Sequence, residues 1–178
     1  GQTYVYDRQT NTNTYYSVAP WQSGIAAPTT ISNDGRIILG TATYAVSNGS
    51  GGTVSSPQVV YYDTDAGSWF RLTQPPGDLH AGGDQPDMSC DGSFAVFRSN
   101  STNLVAEPDA NGSTQDIFLA DLRHGEKLVN LTSNFNNHNM NPHISCNGNY
   151  ITFTSTATNI VSGVTSGSHI YVYDRLSG

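Results

Sequence analysis

The chain has 178 residues, with seven basic against fourteen acidic side chains, a formal net charge of −7 and only 12% charged residues. A chain with no basic stripe has little to offer a phosphate backbone, so nucleic acid is excluded as a partner class. No apolar run reaches the about 20 residues that a membrane-spanning helix needs, and the Ser, Thr, Asn and Gly standing in for charge fit an extracytoplasmic β protein, secreted, periplasmic or at the cell surface.

Residues 1–18 read as two strands, one ending in Tyr-Val-Tyr-Asp at Asp7 and one running through Tyr15 and Tyr16. Residues 28–73 read as four. A short strand follows Pro28 and carries Ile31; an Asn-Asp-Gly turn at Gly35 folds it back into a strand over residues 36–42. After a polar loop, a third strand ends in Val-Val-Tyr-Tyr-Asp at Asp63, and a turn at residues 65–67 leads into a fourth over residues 69–73. Asp-Gly and Asn-Gly pairs tolerate the positive φ of a tight turn, which makes the first connection a strong hairpin signal. The pattern returns over residues 86–132, with Met88, Gly92, Asp121 and a last strand at 127–132, and again over residues 142–178, with Ile144, Gly148 and Asp174, where the fourth strand is missing.

Two phrases therefore keep one period. The aspartates Asp7, Asp63, Asp121 and Asp174 are 56, 58 and 53 residues apart, and the glycines Gly35, Gly92 and Gly148 are 57 and 56 apart. A period in this range marks stacked supersecondary units, each unable to bury its apolar face alone. No segment has helical periodicity, and β-branched and aromatic residues dominate the runs, so the fold class is all-β. Four antiparallel strands per unit make a β-propeller blade, and about three units make a half-propeller or propeller segment. A β-sandwich also has short, regularly spaced strands, but it does not require its turns to repeat in sequence. Ile31, Met88 and Ile144, with Val96, Phe97, Ile151 and Phe153, are the expected core between blades.

The recurring phrase Pro-x-(Ile/Met)-Ser-x-(Asp/Asn)-Gly, followed by Ser-x-x-Thr-Asn-(Leu/Ile)-Val, Asp-x-Asn-Gly and Asp-Ile-Phe-x-x-Asp, resembles the TolB-like β-propeller repeat of bacterial secreted and envelope proteins. Residues 86–121 and 142–174 match best; the first unit departs, with an extra residue after Pro28 and Gly40 where the others have Phe97 and Phe153. The resemblance implies a fold and not a reaction, because propellers host enzymes, scaffolds and receptors alike.

Propellers usually close with about four to eight blades, more than this chain holds. Three explanations are open: a part of a longer propeller, a pair of half-propellers closing one ring, or subunits joined head to tail into a filament by strand exchange. The third has a motive in the sequence. Tyr-Val-Tyr-Asp-Arg occurs near both ends, and the last unit lacks a fourth strand while residues 14–18, with Tyr15 and Tyr16, offer a spare one. The edge formed by Ile170, Tyr171, Val172 and Tyr173 is the candidate interface, and the expected partner is a second copy or the rest of a longer chain.

Cys90 and Cys146 hold equivalent places in adjacent units. They are either a disulfide across neighbouring innermost strands or two small buried thiols. No CxxC pair suggests zinc or redox chemistry. The chain has no Gly-x-Ser-x-Gly elbow and its histidines lack HExxH spacing; Asp84, Asp87 and His143 are placed to line the channel mouth or simply to be solvated. The Ser-x-Asp-Gly phrase is similar to a sialidase Asp-box, but the Gly-x-Thr-Trp that should follow is absent. Asp109, Asn111 and Asp116 surround a glycine in an Asp-x-Asn-Gly loop, an oxygen-rich arrangement that suits calcium, with an Asx-turn as the plainer alternative. Asn48, Asn100, Asn111 and Asn130 begin Asn-x-Ser/Thr triplets, glycan acceptors in a eukaryotic secreted protein and expected by chance in a chain this rich in Asn, Ser and Thr. The function expected is a non-catalytic structural or protein-interaction module; the alternative is the propeller part of a secreted hydrolase or lyase.

Overall fold

The computed structural model describes residues 3–16, 26–47, 53–74 and 82–178, and all of their regular structure is β-strand. β1 (Thr3–Asp7) and β2 (Thr12–Tyr16) form a hairpin. β3 (Ala26–Ile31), β4 (Ile37–Ser47), β5 (Thr53–Asp63) and β6 (Ser68–Arg71) form a four-stranded antiparallel meander. A second meander comprises β7 (Asp84–Met88), β8 (Phe94–Ser99), β9 (Asp116–Asp121) and β10 (Lys127–Asn130). β11 (Asn139–Ile144), β12 (Tyr150–Ser155) and β13 (His169–Asp174) make a three-stranded sheet in the same order. No helix among the described residues is long and apolar enough to cross a membrane.

The repeated Ser-x-(Asp/Asn)-Gly phrase builds the same turn three times. Ser32 Oγ donates to Asp34 Oδ1 at 2.6 Å and accepts the Ile37 N–H at 2.9 Å, while Asp34 accepts the Arg36 N–H at 3.0 Å. Ser89 and Asp91 do the same for Phe94 and Ser93, and Ser145 and Asn147 for Tyr150 and Asn149. The glycine that follows has φ of 74°, 70° and 72° at the three places, the left-handed conformation that only glycine adopts cheaply. Adjacent turns are linked, Asn33 N–H donating to the Cys90 carbonyl (2.7 Å) and Cys90 N–H to the Cys146 carbonyl (2.9 Å).

Alternating residues of each sheet face opposite seams, which is why a complete blade is buried on both faces. Ile37, Leu39, Val59 and Tyr61 of the first meander meet Met88, Ala95, Phe97, Phe118 and Ala120 of the second. From its other face, Val96 and Leu119 meet Ile144 and Ile151 of the last sheet. Burying an aliphatic or aromatic side chain of this kind stabilises by about 1.5–3 kcal/mol.

Three expectations change. Ile31 is not core but 43% exposed. Its counterparts Met88 and Ile144 are each covered by a full preceding sheet, whereas Ile31 faces the β1–β2 hairpin, which supplies only two strands. The expected polar loop of the first meander is largely strand, with β4 and β5 paired from Ile37↔Asp63 to Ser47↔Thr53, and both segments carry β-branched residues that favour extended backbone, Thr41, Thr43 and Val46 in one and Thr53 and Val54 in the other. Pro28, Pro86 and Pro142 lie inside their strands, each at a β-bulge that tolerates the missing donor.

Candidate functional site

The loop expected to bind calcium is organised around Asp116, which is 1% exposed at the start of β9. Its Oδ1 accepts hydrogen bonds from Asn111 Nδ2 (3.0 Å), Thr132 Oγ1 (2.7 Å) and Asn139 Nδ2 (3.3 Å), and its Oδ2 from Asn130 Nδ2 (2.9 Å). Asn111 Nδ2 also donates to the carbonyls of Thr132 (3.1 Å) and Phe135 (2.8 Å). Oxygens suited to a cation therefore surround an amide nitrogen of the chain itself. Asp109 accepts the Asn111 N–H at 3.2 Å in an Asx-turn, and desolvation, then the charge of Asp116, raise its pKa above the usual carboxylate range.

The structure thus brings Asp109, Asn111 and Asp116 together, with Asn111 presenting its amide nitrogen to Asp116 in this arrangement. The amide oxygens of Asn111 and Asn139 are buried without a protein partner. Turning both amides over would aim oxygen at oxygen, which only a cation makes favourable. Among the described residues no group of three or more His, Cys, Asp or Glu is placed to hold a metal ion.

At the axial turns Cys90 and Cys146 are joined in a disulfide with Cα atoms 4.6 Å apart, tying the second meander to the last sheet. An open depression of about 880 Å³ lies over the bridge, with Asp34, Asp91, Arg123 and Tyr150 on its walls. The Ser93 hydroxyl above all holds the Asp91 carboxyl at about 2, and Arg123 stands 3.3 Å from it. Of the three channel-mouth candidates, His143 and Asp87 are paired at 3.3 Å, and Asp87 also accepts the Ile144 N–H. Asp84 is instead held by a two-pronged contact from Arg98, at 2.7 and 2.6 Å. Sequence reasoning missed this pair because the bulge between Asp84 and Asp87 shifts the register by one, setting Asp84 opposite Arg98.

The last sheet is open on one side. β13 pairs with β12 from Tyr150↔Asp174 to Ser155↔His169, and no strand among the described residues pairs with its other edge. Tyr171 stacks on Phe153 at 5.8 Å and Tyr173 packs against the Val96–Leu119–Ile144–Ile151 cluster. Ile170 and Val172, on the opposite face, are 77% and 65% exposed, whereas Ile117 and Leu119 at the same places in β9 are 0% and 8%. Tyr15 and Tyr16 are part of a hairpin. They belong to β2, which is paired along its length with β1, and Tyr16 is anchored on Tyr62 at 4.7 Å. The two groups of interface residues lie at separate places in the chain's fold.

The triplet asparagines separate in the same way. Asn111 and Asn130 have their amides engaged at Asp116, Asn100 is exposed, and Asn48 lies outside the described residues.

Among solved structures, the chain is similar to TolB from Acinetobacter baumannii (20% identity, 98% of this chain and 35% of that one, TM-score 0.55). It is also similar to the tricorn protease (13% identity, 97% and 19%, TM-score 0.60) and to a prolyl endopeptidase (13%, 94% and 23%, TM-score 0.54). It spans about a third of TolB's length and less of the peptidases. No family's sequence model matches the chain, and no curated protein does. At these identities the likeness concerns architecture alone, and with the repeated four-stranded meanders it establishes a TolB-like β-propeller fold.

Proposed function

We propose that the chain is a non-catalytic, extracytoplasmic propeller module with a structural or protein-interaction role, its last sheet completed by a strand from a second copy or from the rest of a longer chain. The observation that carries this reading is the bare edge of β13 beside exposed Ile170 and Val172. An unpaired strand displays a row of N–H and C=O groups, and native edges are normally blunted by charge, proline or a bulge. From His169 to Tyr173 this edge has no Lys, Arg or Pro, and its pairing with β12 runs without a bulge.

Two further observations agree. A hydrolase or lyase needs acid and base groups converging on substrate, whereas here Asp84, Asp91 and Asp116 are taken up by Arg98, Ser93 and the Asn111 network. The Cys90–Cys146 bridge suits an oxidising compartment. Sedimentation of the 178-residue chain over a concentration series tests the reading. Reversible oligomers are expected where a second copy supplies the strand, and a monomer at every concentration rules that partner out.

A further inference from the structure

The first and second meanders share one hydrogen-bonded corner. In the second, Thr132 Oγ1 accepts the Ile117 N–H at 3.0 Å and donates to Asp116 at 2.7 Å, and the Leu131 N–H donates to the Ile117 carbonyl. In the first, Thr73 Oγ1 accepts the Val59 N–H at 3.2 Å and donates to Gln58 Oε1 at 2.6 Å, and the Leu72 N–H donates to the Val59 carbonyl. Gln58, 0% exposed, thus holds the place of Asp116, and Arg71, paired with Val60, holds the place of Asn130, paired with Phe118. The two corners differ in charge. Asn130 donates to the Asp116 carboxylate at 2.9 Å, an uncharged donor on a buried anion, whereas Arg71 is a cation set diagonally to an uncharged amide.

No other group among the described residues supplies the missing carboxylate. Arg36, Arg98, Arg123 and Arg175 each donate to a carboxylate or carbonyl oxygen. Arg71 is half-buried, and its Nε is enclosed without an acceptor. Its guanidinium lies over the Tyr44 ring at 5.0 Å, and loss of water, set against Tyr44, lowers its pKa. A shortage of acid does not explain this, since acidic side chains outnumber basic ones fourteen to seven. Contact with a ring face offsets only part of the cost of a desolvated charge, and a partner carboxylate offsets more.

We propose that Arg71 anchors a docking site on the first meander, and that its counter-ion is a carboxylate side chain from an extended segment of a partner polypeptide. A guanidinium presents a planar fork of donors that matches a carboxylate. β6 is the outer strand of its meander, and no strand among the described residues pairs with its far edge. A segment laid along that edge gains backbone hydrogen bonds and brings an acidic side chain directly across from Arg71, where opposite charges attract. Trp69 and Arg71 project to one face of β6, and Phe70 and Leu72 to the core on the other. The segment recognised is therefore acidic opposite Arg71 and apolar two positions away, opposite Trp69. The site is separate from the edge of β13 and stands or falls without it.

The test uses the full chain and two blocked pentapeptides, Val-Thr-Glu-Thr-Val and Val-Thr-Gln-Thr-Val, titrated calorimetrically at fixed salt. The Glu peptide should bind about tenfold more tightly than the Gln peptide. Arg71→Met, which keeps the apolar stem, should erase that difference and leave the melt of the free protein unchanged or raised, because it removes an uncompensated charge. Gln58→Glu, which gives the first corner the carboxylate of the second, should erase it too by engaging Arg71 from within. Equal binding of the two peptides to the wild type, or a difference that survives Arg71→Met, overturns the proposal. A clear fall in the melt of Arg71→Met would mean that the chain already supplies the counter-ion, and overturns it as well. Glucuronate, the same carboxylate on a sugar, should compete no better than acetate; competition as strong as the Glu peptide's would make the ligand a glycan and overturn the polypeptide assignment.

Discussion

β9 and β13 close on the same kind of phrase, Asp-Ile-Phe-Leu-Ala-Asp and His-Ile-Tyr-Val-Tyr-Asp, yet residues Asp116–Ala120 of β9 are all buried while β13 is largely half-buried or exposed. The difference is in what lies beyond each strand. β9 has β10 on its edge and the last sheet on its far face, while β13 has β12 alone. In a stacked architecture burial belongs to the seam between units, so equal sequences acquire unequal energies.

The largest effects that would sharpen this contrast are in the core. Phe153→Ala should cost about 3–5 kcal/mol and Leu119→Ala about 2–5. Val172→Ala, at the place equivalent to Leu119, should fall within about 0.5 kcal/mol when measured on the monomer by denaturant unfolding. A loss above about 1 kcal/mol at Val172 would show that this face is already covered.

Next comes the axial clasp. Cys146→Ser, or reduction, should cost about 2–4 kcal/mol, because the bridge closes a long loop of chain between two blades. An unchanged melt after complete reduction, checked by thiol titration, would remove the disulfide from the account of stability.

Asp116 and Asp109 offer a smaller but more discriminating comparison. Asp116→Ala leaves several donors without their acceptor and should destabilise by about 1.5–3 kcal/mol or more. Asp109→Asn keeps a side-chain acceptor for the Asn111 N–H and removes repulsion from Asp116, so its melting temperature at neutral pH should hold or rise. If calcium occupied the loop with the amides turned over, Asp109→Asn would destabilise and a chelator would lower the melt of the wild type alone. The hydrogen-bonded arrangement predicts no response to chelator in either protein.

Acid should loosen the axial turns. The folded-state pKa of Asp91 lies below its unfolded value, so its contribution is complete above about pH 4 and is lost as pH falls towards about 2. Asp91→Asn should flatten that part of the stability profile without abolishing it, since Asp63, held down chiefly by Arg36, acts in the same direction. The smallest effect concerns modification. In a secretory host that glycosylates Asn-x-Ser/Thr, peptide mapping of the folded protein should find a glycan at Asn100 and none at Asn111 or Asn130, whose amides are engaged within the structure.

The repeat, the all-β class, the turn at each Ser-x-(Asp/Asn)-Gly and the core residues from Met88 to Phe153 were legible in the sequence, because hairpin turns and alternation are local and a period repeats them. The bulges hid the Asp84–Arg98 pair, since one extra residue moves every partner beyond it. Ile31 misled for a different reason: its burial depends on a sheet that the β1–β2 hairpin only half provides. The calcium reading drew on oxygen-bearing residue types at Asp109, Asn111 and Asp116, and packing brings those residues together around Asp116. Strand, turn and period are set by neighbours along the chain. Which face is covered is set by residues of the neighbouring unit, and which way the Asn111 amide points by carbonyls 21 and 24 positions away; these the tertiary structure alone decides.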